Sequence, residues 1–301
     1  MDILHQQGRN DVAMVYLGTY GGDLMVEFVD SLGGAESRKD KWVVILSSLV
    51  GCPIKCKFCD AGIYYGGPLS TDEILAQLDH IVRIHAPSGN IDSKKFKVQF
   101  ARMGEPALND NVIEAITRIP EIYNVKNYMP CISTVAPGGR EEWFESVLEL
   151  NHHIFKGNFQ MQFSVHSTSE DYRDFLIPSK KWSLREIADY GERFYAGGRK
   201  VTLNFAMGNS NPVDVDVLGS IFSPDEFAIK VTPLNPTLNA EEFSLINVFD
   251  QDEGNRLEVV KEMRDAGFDV HVSIGDLREN EIKSNCGQIL VSYLEEKGRG
   301  T

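Results

Sequence analysis

Long apolar runs are missing from this 301-residue chain: no stretch approaches the roughly 20 residues a helix needs to cross a bilayer. A basic surplus is missing as well. With 44 acids against 30 bases the formal charge is −14, which argues against binding by broad phosphate neutralisation while leaving room for a local basic mouth. Cysteine is scarce, at five residues. An odd count behind the polar N-terminus MDILHQQGRND gives neither a disulfide framework nor a secretory signal. Low-complexity tracts and internal repeats are absent too. These absences leave the expectation of a cytoplasmic globular protein. What is present, 42% hydrophobic residues over a length ordinary for an α/β barrel, suffices for one sizeable core.

Two β-rich runs, 12–17 and 24–29, flank a YGGD turn and read as a hairpin. After a polar connector the pattern alternates. Strand-like runs at 42–46, 96–101, 128–133, 159–165, 201–206, 227–232 and 268–273 are separated by helical patterns at 71–85, 109–120, 140–150, 183–195, 212–221 and 252–266. Ser70 with Glu73 makes a capping box for the first helix. Such alternation predicts a parallel sheet with outer helices, a full or partial barrel whose chemistry sits at the C-terminal strand ends.

Three of the five cysteines lie in one loop after the first barrel strand, GCPIKCKFCD, as Cys52, Cys56 and Cys59. Thiolates at such spacing can wrap one iron–sulfur cube, and three ligands leave one of its irons to a small molecule. The alternative is zinc or plain thiols. Structural zinc takes four protein ligands, and neither a second cysteine pair nor a histidine stands in the loop.

Six short segments in order resemble those of the RlmN/Cfr family of radical S-adenosylmethionine (SAM) enzymes, which methylate an adenine carbon in RNA. They are SSLVGCPIKCKFC, MGEPALN, IST, SVH, PLNP and NCGQI, and the resemblance as a whole runs from about residue 23 to about residue 290. The resemblance implies an α/β fold, the radical SAM partial (β/α)6 TIM-like barrel. On that expectation residues 1–38 are an N-terminal hairpin extension, 39–275 the barrel and 276–301 a short tail. The resemblance further implies a 4Fe–4S cluster on Cys52, Cys56 and Cys59, shielded by Phe58. SAM would meet Gly104, Glu105, Ser133, Ser164, Val165, His166 and Asn235. Cys286 would carry a methyl group from one SAM, from which a 5′-deoxyadenosyl radical made from a second SAM abstracts hydrogen. Glu27 would accept the proton that restores the substrate ring. The implied partners are an electron donor such as flavodoxin or ferredoxin, and RNA.

Taken singly, each of these residues has a plainer reading: Glu27 as a solvent-facing strand residue, His166 as a core histidine, Cys286 as a buried thiol. The chain also departs from the family pattern. Ile45 stands where the family has a second catalytic cysteine, seven residues before the cluster loop, and without that thiol the family reaction stalls as an adduct. Cys131 is a candidate substitute, two residues before Ser133 and therefore on the same strand face; it also reads as a core cysteine. Only a hairpin precedes the barrel where the family has a helical domain. Arg102 replaces a glycine, as a cation for an anionic substrate or as a surface arginine. The alternatives to RNA methylation are a radical SAM enzyme of another reaction type, on a small molecule or peptide, and a non-enzymatic metal-binding descendant.

Overall fold

The first 31 residues form three strands where the β-rich runs suggest two. In the computed structural model, which describes residues 1–22, 24–247, 253–273 and 287–297, β1 (Asp2–Arg9), β2 (Ala13–Thr19) and β3 (Met25–Ser31) make an antiparallel meander. The unexpected strand, DILHQQGR, is half polar and mostly exposed, as befits an edge.

The chain divides into two compact units. The first comprises residues 1–54 and 60–132 with the C-terminal helix. After the meander come β4 (Trp42–Leu46), the ribbon of β5 (Leu49–Gly51) and β6 (Tyr65–Pro68), and α1 (Thr71–His85). Then follow β7 (Asn90–Ile91), β8 (Phe96–Phe100), α2 (Asn111–Ile122), β9 (Asn124–Val125) and β10 (Tyr128–Thr134). β4 pairs antiparallel with β3 and parallel with β8, and β8 pairs parallel with β10. The capping box of α1 forms as read: the Ser70 hydroxyl accepts from the Glu73 N–H while the Glu73 carboxylate accepts from the Ser70 N–H. One face of that helix buries Ile74, Leu78, Ile81 and Val82. Behind the sheet the enclosed Asp30 carboxylate accepts from Trp42 Nε1 at 2.8 Å, pairs with His85 Nε2 at 2.8 Å and takes Arg38 Nη2 at 2.5 Å, which ties β3, β4 and α1 together.

The second unit comprises residues 55–59 and 133–275. It holds α3 (Glu141–Glu149), which runs into a π-turn, then β11 (Gln160–Ser164), α4 (Glu170–Leu176), α5 (Leu184–Phe194) and β12 (Val201–Met207). α6 (Val215–Ile221), β13 (Phe227–Pro233), α7 (Leu238–Glu242), α8 (Glu253–Asp265) and β14 (Asp269–Val272) complete it. Strands β11 to β14 pair in sequence, all parallel. Phe144, Trp182 and Tyr190 interlock beneath β11, the first two with ring centroids 4.3 Å apart. The segment read as a short C-terminal tail returns to the first unit and includes α9 (Gln288–Glu296). Residues 1–38 belong to the same unit as β4 and β8.

Candidate active site

In the first unit, the segment leading into Cys52 is zipped to the MGEP segment beyond the strand ends. Ser47 is the joint. Its hydroxyl donates to the Glu27 carbonyl at 2.5 Å and accepts from the Met103 N–H at 3.0 Å. Gln77 of α1 brackets it, accepting from the Ser47 N–H and donating to its carbonyl. The N–H groups of Ser48 and Leu49 both reach the Met103 carbonyl, at 2.9 and 3.3 Å. Gly104 sits at φ +97°, and a β-carbon there would lie 2.5 Å from the Leu49 β-carbon, so only glycine lets the two segments touch. Glu105 is buried and accepts from the Ala107 N–H at 3.0 Å. Asn109 donates to the Ser48 and Leu69 carbonyls at 2.7 and 2.8 Å, which is why α2 begins two residues later than the helical pattern suggested. Cys52 is half-buried, and its N–H donates to the Tyr64 carbonyl at 3.1 Å.

Neither reading of Arg102 survives. Its side chain is only 3% exposed, and Nη2 lies 2.5 Å from Glu27 Oε2. Glu27, fully enclosed, also accepts from two backbone N–H groups, Gly287 at 3.0 Å and Leu290 at 2.8 Å. A solvent-facing Glu27 is thereby corrected: the strand turns it inward, onto a cation and a helix N-terminus.

In the second unit, Cys56 and Cys59 are half-buried on a tight turn, the Cys59 N–H donating to the Cys56 carbonyl at 3.1 Å. The turn is held from both flanks. Lys57 N–H donates to the Leu176 carbonyl, and its ammonium sits 4.2 Å from the ring centroids of Phe175 and Phe243. The Thr237 hydroxyl donates to the Phe58 carbonyl at 3.1 Å, and Asn239 Nδ2 donates to the Cys59 carbonyl at 2.7 Å. The Phe58 ring meets His166 edge-on at 4.8 Å. Thr237, Asn239, Gln77 and Asn109 were not singled out from sequence. Asn109 closes the MGEPALN segment and Thr237 follows PLNP directly, so adjacency to those motifs was the available signal.

The strand ends of this unit carry the other expected residues. Ser133 and Ser164 are half-buried, Val165 is fully buried, and Asn235 is exposed with its carbonyl accepting from the Thr237 N–H. Val165 and His166 both donate their N–H to the Asn204 carbonyl at 3.0 Å, with His166 at φ +63°. Ala206 N–H donates to His166 Nδ1 at 3.0 Å, which assigns the ring proton to Nε2. That buried Nε2 and the buried Asn204 Oδ1 have no protein partner among the described residues. Burial, with the nearby Arg173 cation second, pushes the His166 pKa down to about 3, so the ring stays neutral. Cys286 lies outside the described residues.

The donors fit the implied cofactors. Three half-buried cysteines within eight residues of sequence suit an iron–sulfur cube with one corner left to a small molecule. Among the described residues no group of three or more His, Cys, Asp and Glu side chains stands assembled as a metal cage. The unpartnered His166 Nε2–H and Asn204 Oδ1 offer one donor and one acceptor to a polar ligand.

Residues 46–216 match the Radical SAM superfamily. A probable dual-specificity RNA methyltransferase RlmN from Salinispora arenicola is 28% identical over 274 residues, 85% of this chain and 67% of the relative. A protein of the same description from Mycolicibacterium vanbaalenii is 30% identical over 273 residues, covering 83% and 67%. The chain thus spans about two thirds of the length of these relatives. The crystal structure of a radical SAM methyltransferase from Sphaerobacter thermophilus superposes with a TM-score of 0.70 at 21% identity, over 95% of this chain and 80% of that one. That likeness shows the fold: the α/β class of the radical SAM partial barrel.

Proposed function

The chain belongs to the radical SAM superfamily and within it to the RlmN/Cfr-like methyltransferase family, and from that premise we propose that it methylates an adenine carbon of RNA, or a related nucleobase, through Cys286. Membership makes it an enzyme and makes its cofactors a 4Fe–4S cluster and SAM, with a reductant required; the reading of another reaction type is not favoured. Cys52, Cys56 and Cys59 would hold the cluster, which when bound supplies the electron for reductive SAM cleavage. Gly104 admits the close backbone approach and Glu105 offers a carboxylate to an ammonium. His166, neutral by burial and held in the Nε2–H tautomer by the Ala206 amide, offers Nε2–H as a donor to SAM, while Ser133, Ser164, Val165 and Asn235 edge the same strand ends. Phe58 packs edge-on against the His166 ring.

The observation that carries the reading is the buried, unpartnered Nε2–H of His166 on the unit that also bears Cys56 and Cys59, with Phe58 of the same loop against its ring. The likeness to probable RNA methyltransferases supports an RNA substrate, and a chain charge of −14 leaves only local contacts to bind its phosphates. Flavodoxin or ferredoxin is the proposed electron donor. Anaerobic reconstitution, reduction with SAM and mass spectrometry test the proposal: 5′-deoxyadenosine is expected, with methyl on Cys286 and on adenine of added ribosomal or transfer RNA. SAM cleavage that leaves Cys286 unmodified would refute the methyl-carrier role, and a methylated Cys286 that never modifies RNA would refute the substrate.

A further inference from the structure

We propose that Arg102 and Glu27 are positioning residues: a buried clamp that seats the first turn of α9 and so fixes the backbone from which Cys286 is carried. What the tail carries rests on the reading above; the clamp itself does not, since all its parts are described residues of the first unit.

Helix α9 has no cap of its own. Its N-cap is Gly287, which has no side chain to offer. The oxygen that an N-cap side chain would present to the third N–H of the helix comes instead from β3, where Glu27 Oε1 accepts from Leu290 N–H at 2.8 Å. Oε2 accepts from Gly287 N–H at 3.0 Å and pairs with Arg102 at 2.5 Å. The carboxylate therefore lies between a guanidinium and the positive end of a helix dipole. A second contact fixes the seat: Gly287 stands at φ +88°, and a β-carbon there would come within 2.5 Å of the Asp60 carbonyl carbon and the Ala61 nitrogen. Asp60 directly follows Cys59 in the sequence. The tail backbone thus lies flat against the peptide that leaves the cysteine loop, with no room for a side chain between them.

This arrangement gives Arg102 and Glu27 work other than that expected of them. With both oxygens committed to three donors and no solvent exposure, Glu27 is placed to hold a backbone rather than to collect a proton from a ring. The arginine that replaces a glycine keeps that carboxylate matched in a site where an unmatched charge is costly.

The test uses full-length reconstituted protein and three variants: Glu27→Gln, Arg102→Met and the charge swap Glu27→Arg/Arg102→Glu. Amide hydrogen exchange over residues 287–297 is the first readout. Exchange at Leu290 is expected to quicken at least tenfold in all three, including the swap, which restores a charge pair but turns a cation toward the helix N-terminus. The second readout is the ratio of methyl on Cys286 to 5′-deoxyadenosine released, expected to fall several-fold because SAM cleavage does not need the tail. A swap with wild-type protection would overturn the clamp, since a simple ion pair is indifferent to its direction. So would Glu27→Gln with an intact tail and normal Cys286 methylation but no RNA product, which is the behaviour of a missing base. Absence of methyl on wild-type Cys286 would defeat the functional reading alone and leave the exchange result to judge the clamp.

Discussion

Replacing Gly104 by alanine is expected to cost both stability and SAM affinity, through two effects that a control substitution separates. At φ +97° an L-residue carries about 1–3 kcal/mol of backbone strain. The added methyl would also lie 2.5 Å from the Leu49 β-carbon and 2.8 Å from the Leu49 nitrogen, part of which is backbone that cannot rotate away. Overpacking of that kind adds about 1–3 kcal/mol. The sum, about 2–6 kcal/mol, is a large share of the 5–15 kcal/mol typical of a folded domain. Relief requires parting the Met103 carbonyl from the Ser48 and Leu49 amides, which moves Glu105 as well. Gly139→Ala is the control, because that glycine sits at φ +80° with nothing within 4 Å of its missing β-carbon. Urea denaturation should show Gly104→Ala losing about 1–3 kcal/mol more than Gly139→Ala, the overpacking share alone, at unchanged m-value. Equilibrium dialysis of the reconstituted proteins should show weaker SAM binding in Gly104→Ala only. Equal midpoint shifts in the two variants would refute the close approach, and unchanged SAM affinity in Gly104→Ala would refute the role given to the segment.

His166 sets an acid limb to stability. Its folded pKa of about 3 lies below the unfolded value of about 6.5. Between these the unfolded chain binds the extra proton, so stability is full above about pH 6.5 and falls by about 1.4 kcal/mol per unit toward pH 3. His166→Phe should flatten that slope in urea melts between pH 5 and 7, and an unchanged slope would count against the burial. Asn239→Ala removes the bond to the Cys59 carbonyl, worth about 1 kcal/mol, and is expected to hasten loss of iron from the reconstituted protein to a chelator several-fold. An unaltered rate of iron loss would mean that the bond does not brace the loop.

The alternating strands and helices were legible because each barrel strand is a short β-branched or aromatic run between polar loops. The capping box of α1 was legible to the residue for a local reason: three positions settle it. What stayed hidden is non-local. Glu27 alternates with apolar neighbours, so period 2 assigns it a face without saying what waits there; its partners lie 75 and more than 250 residues away. Arg102 looks like a surface residue until the fold brings the Glu27 carboxylate of β3 against it. Helix α9 lacks a capping signal because its cap comes from another element. Asn109, Thr237 and Asn239 spend their side chains on backbone carbonyls far along the chain, bonds that leave no periodic trace. The cysteine loop is the opposite case: its chemistry is carried by spacing alone.

The thiol that the family pattern places at position 45 is the one element of the reaction that the sequence withholds, and the sheet register decides what can replace it. Ile45 pairs with Gln99 on β8, and Gln99 pairs with Cys131 on β10, so the three side chains form one row on one face. Cys131 is therefore level with position 45 but two strands away, roughly 9–10 Å at ordinary strand spacing. A cysteine side chain reaches only about a quarter of that, so Cys131, fully buried, cannot serve the same attacking position by rotation. Ile45, by contrast, is the one half-exposed residue of β4. Cys131→Ala is accordingly expected to leave turnover unchanged. Ile45→Cys, at a packing cost of about 1 kcal/mol, should raise the product formed per chain in reactions without added thiol, whereas the natural protein should depend on an external thiol for more than one turnover. Loss of turnover in Cys131→Ala, with no gain from Ile45→Cys, would show that the row does not set the geometry of release.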